Sequence, residues 1–141
     1  MERFLVDQML LRLGRWLRLL GMDVANPENA SDSELLQRAI REKRTLVTRD
    51  KRLADACRRR QAECILIKAS RLDEQLREMA QMGVPLELRP QRCTLCNCIL
   101  QKVHLAEKAT WKCEGCGKLY WEGSHWIDME KMLEKIRSSK D

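Results

Sequence analysis

Apolar positions change their period several times along the chain, and each change marks an element. Arg3 to Val6 is a short apolar run that stops at an acid, Asp7. From Gln8 to Leu20 the apolar residues fall at positions 9, 10, 13, 16, 17 and 20, one face of a helix, with Gly21 as its stop. Val24 starts a second short strand, which Pro27 ends. Ser31-Asp32-Ser33-Glu34 has the form of a capping box, and Leu35, Leu36, Ala39 and Ile40 supply the stripe of the helix behind it. Thr45 to Thr48 reads as a strand, Lys51 to Arg60 as a helix, and Ile65 to Ile67 as another buried strand. Leu72, Leu76, Met79 and Ala80 mark a further helix, stopped by Gly83 and Pro85.

Strands separated by helices imply right-handed crossovers and a parallel sheet covered on both faces. The expected fold class is therefore α/β over residues 1–89. Pro85 to Pro90 reads as a linker or an edge strand. Beyond Arg92 cysteine, tryptophan and glycine dominate, and helical periodicity returns only after Asp128, with Met129, Met132, Leu133 and Ile136. The second unit is expected over 90–141.

The cysteines explain the change of pattern. Cys93 and Cys96 form one C-x-x-C pair, Cys113 and Cys116 another, and sixteen residues lie between the pairs. This is the spacing of a structural zinc site, in which two turns complete a closed S₄ shell with no position for substrate. Ile99 to Leu105 and Lys118 to Trp121 become short strands of a zinc ribbon, with a C-terminal helix after it. Cys98 is a spare thiol, and Cys57 and Cys64 lie on apolar faces of the first unit as core residues. His104 reads as a surface residue, and His125 as part of the ribbon's aromatic cluster.

An odd total of seven cysteines argues against an extracellular disulfide framework. The charged N-terminus is unlike a signal peptide, and no run is long enough to span a bilayer. These features lead us to expect a cytoplasmic protein with no membrane partner. A net charge of +6 favours a polyanionic partner such as RNA. Arg12, Arg15 and Arg18 are spaced as a ridge on the helix after Asp7, and Arg49 adds to the positive field; all four are candidate RNA contacts. A solvated polar face would give the same pattern.

In an open parallel sheet, ligands collect outside the carboxyl ends of the strands. Asp7 and Asp50 each follow a strand at that end, and Asp32 opens the intervening helix. Carboxylates gathered there repel one another unless a cation joins them, and hard oxygen ligands suit Mg²⁺ or Mn²⁺. Such an ion would activate a water against a phosphate. Asp55, one turn into the helix after Asp50, is an additional acid. Structural duties compete with this reading: Asp32 as a first-turn residue, Asp50 as an N-cap, Asp55 as an ion-pair partner. Asp7 has no evident structural task. Trp111, Tyr120, Trp121 and Trp126 either fill the ribbon's core or stack unpaired bases.

Taken together, FLVDQMLLRLGRWLRLLGMD, DSELLQRA and RTLVTRDKRLA resemble the PIN-like ribonuclease domain of the Mut-seven C-terminal family. RCTLCNCIL and WKCEGCGKLYWEGSHW resemble its zinc ribbon. The resemblance implies a PIN-like three-layer domain with a parallel sheet, and metal-dependent cleavage of RNA to 5′-phosphate and 3′-hydroxyl ends. Asp7, Asp32 and Asp50 match the family's acids. Where PIN-like proteins often carry a further acid, this chain has Arg52, so Glu34 or Asp55 would have to substitute. The expected function is a divalent-metal-dependent endoribonuclease acting on single-stranded or locally unpaired RNA. The alternative is a non-catalytic RNA- or ribosome-binding zinc-ribbon adaptor. A homodimer stays open.

Overall fold

A computed structural model of the chain describes residues 3–105 and 108–138. Its first part alternates strands and helices as the periodicity implies: β1 (Arg3–Val6), a 3-10 turn (Gln8–Leu10), α1 (Leu11–Leu19), β2 (Asp23–Ala25), α2 (Asp32–Glu42), β3 (Thr45–Thr48), α3 (Lys51–Arg59), β4 (Cys64–Leu66) and α4 (Leu72–Gln81). The four strands form a sheet in the order β2-β1-β3-β4, every pair parallel. Strand side chains alternate between the faces. Phe4, Val6, Val24 and Val47 point into a core made with α1 and α4, while Leu5, Ala25 and Leu46 point to the opposite face and meet α2 and α3. A sheet buried on both faces between helices is the three-layer α/β/α arrangement.

Strand order decides where a ligand can enter. From β1 the chain moves outward to β2, then crosses back past β1 to β3 on the other side. The helices leaving β1 and β3 therefore lie on opposite faces of the sheet and diverge, opening a crevice at the carboxyl ends of these neighbouring strands. Val6 pairs with Val47 as the last residue of β1 in the ladder, and the Asp7 N–H continues it to the Val47 carbonyl at 3.2 Å.

After α4 the chain makes neither a free linker nor an edge strand. Val84 and Leu86 are buried in the core, and the Arg89 N–H donates to the Leu19 carbonyl at 2.8 Å. A three-stranded antiparallel ribbon follows: β5 (Leu100–Leu105), β6 (Lys108–Cys113) and β7 (Leu119–Trp121). Strand β6 has no apolar run to mark it, since Lys108, Thr110 and Lys112 alternate with Ala109, Trp111 and Cys113.

The last helix, α5 (Ser124–Ser138), falls in the unit expected over 90–141, but it serves both parts. Trp126 in its first turn stacks on Trp111 of β6, with ring centroids 5.7 Å apart and planes within 5°. Leu133 and Ile136 near its end are buried in the core formed by α1 and α4. The Arg137 guanidinium donates to the Leu86 carbonyl.

Candidate functional site

Two groups of side chains could hold a metal. The first is in the ribbon. Each C-x-x-C pair sits on one turn, and the turns face each other so that the four sulfurs of Cys93, Cys96, Cys113 and Cys116 all lie within 4.8 Å of one another. Cross-pair contacts are 3.6 Å for Cys93–Cys116 and 3.3 Å for Cys96–Cys113. A tetrahedral ion with metal–sulfur bonds of about 2.3 Å requires sulfurs about 3.8 Å apart, so this donor set fits a zinc-type ion.

Protonation in this cluster is uneven. Burial works against the Cys93 thiolate, but hydrogen bonds from the Tyr120 hydroxyl and the backbone of Cys96 and Leu95 outweigh it and bring that thiol down to about 6. Cys113 is also lowered: burial opposes its ionisation, while the Cys116 backbone N–H and the neighbouring Cys96 thiol support it. Backbone bonds at Cys98 and Lys118 favour the thiolates of Cys96 and Cys116, but burial and the protons these thiols share with adjoining sulfurs outweigh them, and both move up. Four thiolates cannot coexist here without a cation. Cys98 stands beside the cluster, its Sγ so near Gly115 that a Cβ at that position would lie 2.7 Å away.

The second group is at the β1/β3 crevice. Asp7 is buried, and its Oδ1 accepts the Met9 N–H at 3.0 Å while its Oδ2 accepts the Thr48 hydroxyl. The first of these bonds gives Asp7 a structural task that the sequence did not suggest: it caps the 3-10 turn. Thr48 in turn accepts the Asp50 N–H at 2.9 Å, so one hydroxyl links the two acids across adjacent strands. Asp50 is the N-cap of α3, with Oδ1 accepting the N–H groups of Arg52 (2.8 Å) and Leu53 (3.4 Å). Its Oδ2 makes no bond to a described residue.

No ion pair among the described residues involves Asp7, Asp32 or Asp50. Asp32 is exposed in the first turn of α2. The acids do not form a compact group of three: among the described residues, only the four cysteines place three or more potential ligand atoms within 4.8 Å of one another. Neither substitute acid completes the set. Glu34 reaches back to the Ser31 N–H at 3.1 Å, closing the capping box, and Asp55 pairs with Arg58 at 3.4 Å.

The arginine ridge divides. Arg12 and Arg15 are exposed. Arg18 is not a nucleic-acid contact: it is 2 % exposed, with Nε and Nη2 donating to the Val24 carbonyl (3.0 and 2.7 Å), Nη2 also to Asn26 Oδ1 (3.0 Å), and Nη1 to the Thr94 carbonyl (2.7 Å). Helical geometry explains the error in the ridge. At 3.6 residues per turn, each three-residue step falls about 60° short of a full turn, so Arg18 lies about 120° around the helix from Arg12. It faces the sheet and the first knuckle, and burial lowers its pKa from the ordinary value. Arg49, between Thr48 and Asp50, is half-buried, and its Nε lies buried without a hydrogen-bond partner.

Asp23 carried no signal in the sequence, yet it anchors the two parts of the molecule. Its carboxylate accepts Arg44 Nη1 (2.9 Å) and Asn97 Nδ2 (2.6 Å) and lies 3.8 Å from Arg92. Asn97 closes the link by accepting the Val24 N–H at 3.0 Å. Both histidines are exposed, His104 as expected and His125 in contrast to a place inside the aromatic cluster.

The sequence model of the Mut7-C RNAse domain family matches residues 2–133. No curated protein and no solved structure matches the chain. The match spans the sheet, the knuckles and most of α5, and the chain belongs to the Mut7-C family.

Proposed function

We propose, from this membership, that the protein is a divalent-metal-dependent endoribonuclease that cuts single-stranded or locally unpaired RNA, with Asp7 and Asp50 as the principal metal ligands. One observation carries the reading. Asp7 is a buried carboxylate at the topological switch point whose hydrogen bonds come from neutral donors and which has no cationic partner among the described residues. Burying such a charge without a countercharge is costly, and a cation would supply one. The free Oδ2 of Asp50 offers a second donor.

Two carboxylates suffice for Mg²⁺ or Mn²⁺, because such ions commonly keep several waters and take one or two protein carboxylates plus substrate phosphates. A bound ion supplies a water of lowered pKa and neutralises phosphate charge. The protein's own contribution is placement. Thr48 fixes Asp7 relative to the start of α3, Asp32 stands by in the first turn of α2, and the unsatisfied Arg49 guanidinium offers a donor to a phosphate. The thiol site, closed by four sulfurs, is assigned a structural zinc.

The test is cleavage of an unpaired RNA with Mn²⁺ by the parent protein and by Asp7→Asn. Loss of a ligand's outer partner alone costs 10- to 100-fold in metal sites, so loss of the ligand is expected to cost about 100-fold or more. Equal cleavage by both proteins would overturn the assignment. A second reading has its own support: both acids serve as backbone caps, which would preserve them in a protein that only binds RNA. That adaptor would bind RNA tightly without Mn²⁺, and no metal would induce cleavage.

A further inference from the structure

A cleft of about 580 Å³ lies between α1, the ribbon and the first turn of α5. Arg12, Arg15 and Lys118 are among its lining residues, and no carboxylate is among the described residues that line it. Arg12 and Arg15 make no ion pair or hydrogen bond with any described residue, so their charge is available to a ligand. Arg12 also lines an adjoining cavity of about 510 Å³ with Lys135, Arg71 and Asp73, the last two paired at 3.0 Å.

The cleft's ribbon side is aromatic, and its rings have different duties. Tyr120 packs on the ribbon's small core, and Trp126 is covered by Trp111, which lies outside the cleft. Tyr120 is further fixed by its hydroxyl, which accepts the Thr94 N–H at 3.1 Å. Trp121 has no such employment. It is 51 % exposed, and its indole lies over Gly123, where a Cβ would come within 3.1 Å of Nε1. A half-exposed indole beside unpaired guanidiniums, in a cleft whose described lining has no carboxylate, suits a ligand that is both flat and anionic.

We propose that this cleft binds an unpaired stretch of the RNA strand, with a base stacked on Trp121 and phosphates on Arg12 and Arg15, at a place separate from the Asp7–Asp50 crevice. The proposal rests on the reading that RNA is the substrate, but not on catalysis. Sequence-tolerant binding of single strands combines these same two elements, stacking platforms and a cationic groove. Duplex RNA has no free base faces to offer such a platform.

The experiment measures fluorescence anisotropy of a labelled, unpaired RNA of about ten nucleotides, using Asp7→Asn as the parent so that cleavage does not intervene. Stacking on an aromatic side chain is worth about 1–3 kcal/mol per base, so Trp121→Ala is expected to weaken binding about 5- to 150-fold. Arg15→Gln, on α1 and outside the ribbon, is expected to weaken binding and to reduce the slope of log affinity against log salt by about 0.7. Each variant is checked for one bound metal per chain; if Trp121→Ala loses it, Arg15→Gln and Trp121→Phe decide the matter, the latter expected to retain most of the affinity. Affinity within twofold of the parent for Arg15→Gln, or for a Trp121→Ala that keeps its metal, or equally tight binding of a duplex, overturns the proposal. Its failure is distinct from failure of the nuclease reading: cleavage that depends on Asp7 with no effect of Trp121 or Arg15 on binding removes the cleft alone, while cleft-dependent binding by a protein that never cleaves removes the nuclease alone.

Discussion

The thiol cluster and the acid crevice both bring groups of like charge together, by opposite means. In the ribbon the ligands are themselves the core. Its buried cluster consists of Cys93, Leu100 and Cys113, with Trp111 and Tyr120 packed on it, so little apolar surface would hold the knuckles together without an ion. The crevice is built the other way. Asp7 and Asp50 are carried by strands and a helix whose cores form on both faces of the sheet without them, and backbone N–H groups and Thr48 hold them in position. The ribbon should need its metal in order to fold, whereas the crevice should exist before any metal arrives.

The largest effect that separates the two follows from removing the ribbon's ion. Structural zinc sites bind with apparent free energies on the order of 10 kcal/mol, and that binding energy is folding energy. Chelation, or Cys113→Ser, is expected to abolish the single tightly held metal and to strip amide-exchange protection from β5 and β6 while leaving it in β1 and β3. Loss of protection in the sheet as well would show that the two parts fold as one unit and would end the comparison. Removing Mg²⁺ or Mn²⁺ is expected to leave protection unchanged throughout.

Next in size is the contrast between two arginines three residues apart. Arg18→Met leaves the Val24 and Thr94 carbonyls without their charged donor, and losses of this kind amount to about 3 kcal/mol. Arg15→Met removes an exposed side chain and is expected to change stability by less than about 0.5 kcal/mol. Denaturant midpoints of the two variants check this directly. Equal midpoints would mean that Arg18 does not join α1 to the first knuckle.

Thr48→Val acts on the crevice itself. It withdraws the donor to Asp7 and the acceptor for the Asp50 N–H in a fully buried position, which is expected to destabilise by about 1–3 kcal/mol. If Thr48 positions the acids, Mn²⁺-dependent cleavage should fall by about 10- to 100-fold, as for other outer partners of metal ligands. Thr48→Ser, which keeps the hydroxyl, should recover most of it. Unchanged cleavage by Thr48→Val would detach the hydroxyl link from the chemistry.

What the sequence revealed of each region follows from how local its determinants are. The knuckles were legible because both ligands of a pair lie on one turn, and spacing is the whole geometry. The helices and strands of the first part were legible because both faces of the sheet are buried and the apolar runs are correspondingly clean. The pairing of β1 with β3 was not, since strand order depends on crossovers rather than on any short motif; the rule about strand ends and the family resemblance pointed to Asp7 and Asp50 without it. Arg18 shows the limit of reading a helix by spacing, because a three-residue repeat drifts around the axis. Asp23 shows another: its partners Arg44 and Asn97 are distant in sequence. Nor did the tail reveal that its helix returns to bury Leu133 and Ile136 in the first core, because a stripe of apolar residues states that a face is covered without saying by what.

Asp23 provides the smallest test, on the joint between the two regions. Burial opposes its ionisation, but hydrogen bonds from Arg44 and Asn97, with the charge of Arg92, outweigh that and hold its pKa below the ordinary carboxylate value. A carboxyl whose folded pKa is lowered contributes stability that is present above the unfolded pKa and is lost as pH falls through the folded one. Asp23→Asn is therefore expected to cost about 1 kcal/mol at pH 7, with the gap from the parent closing as pH drops below the ordinary carboxylate range of about 4. Glu42, also lowered by Arg44 and Arg38, titrates in both proteins and so largely cancels from the difference. A gap that stayed constant down to acid pH would mean that Asp23 joins the two parts by shape and neutral hydrogen bonds rather than by charge, and the ribbon would then be held to the sheet chiefly by Arg18 and by α5.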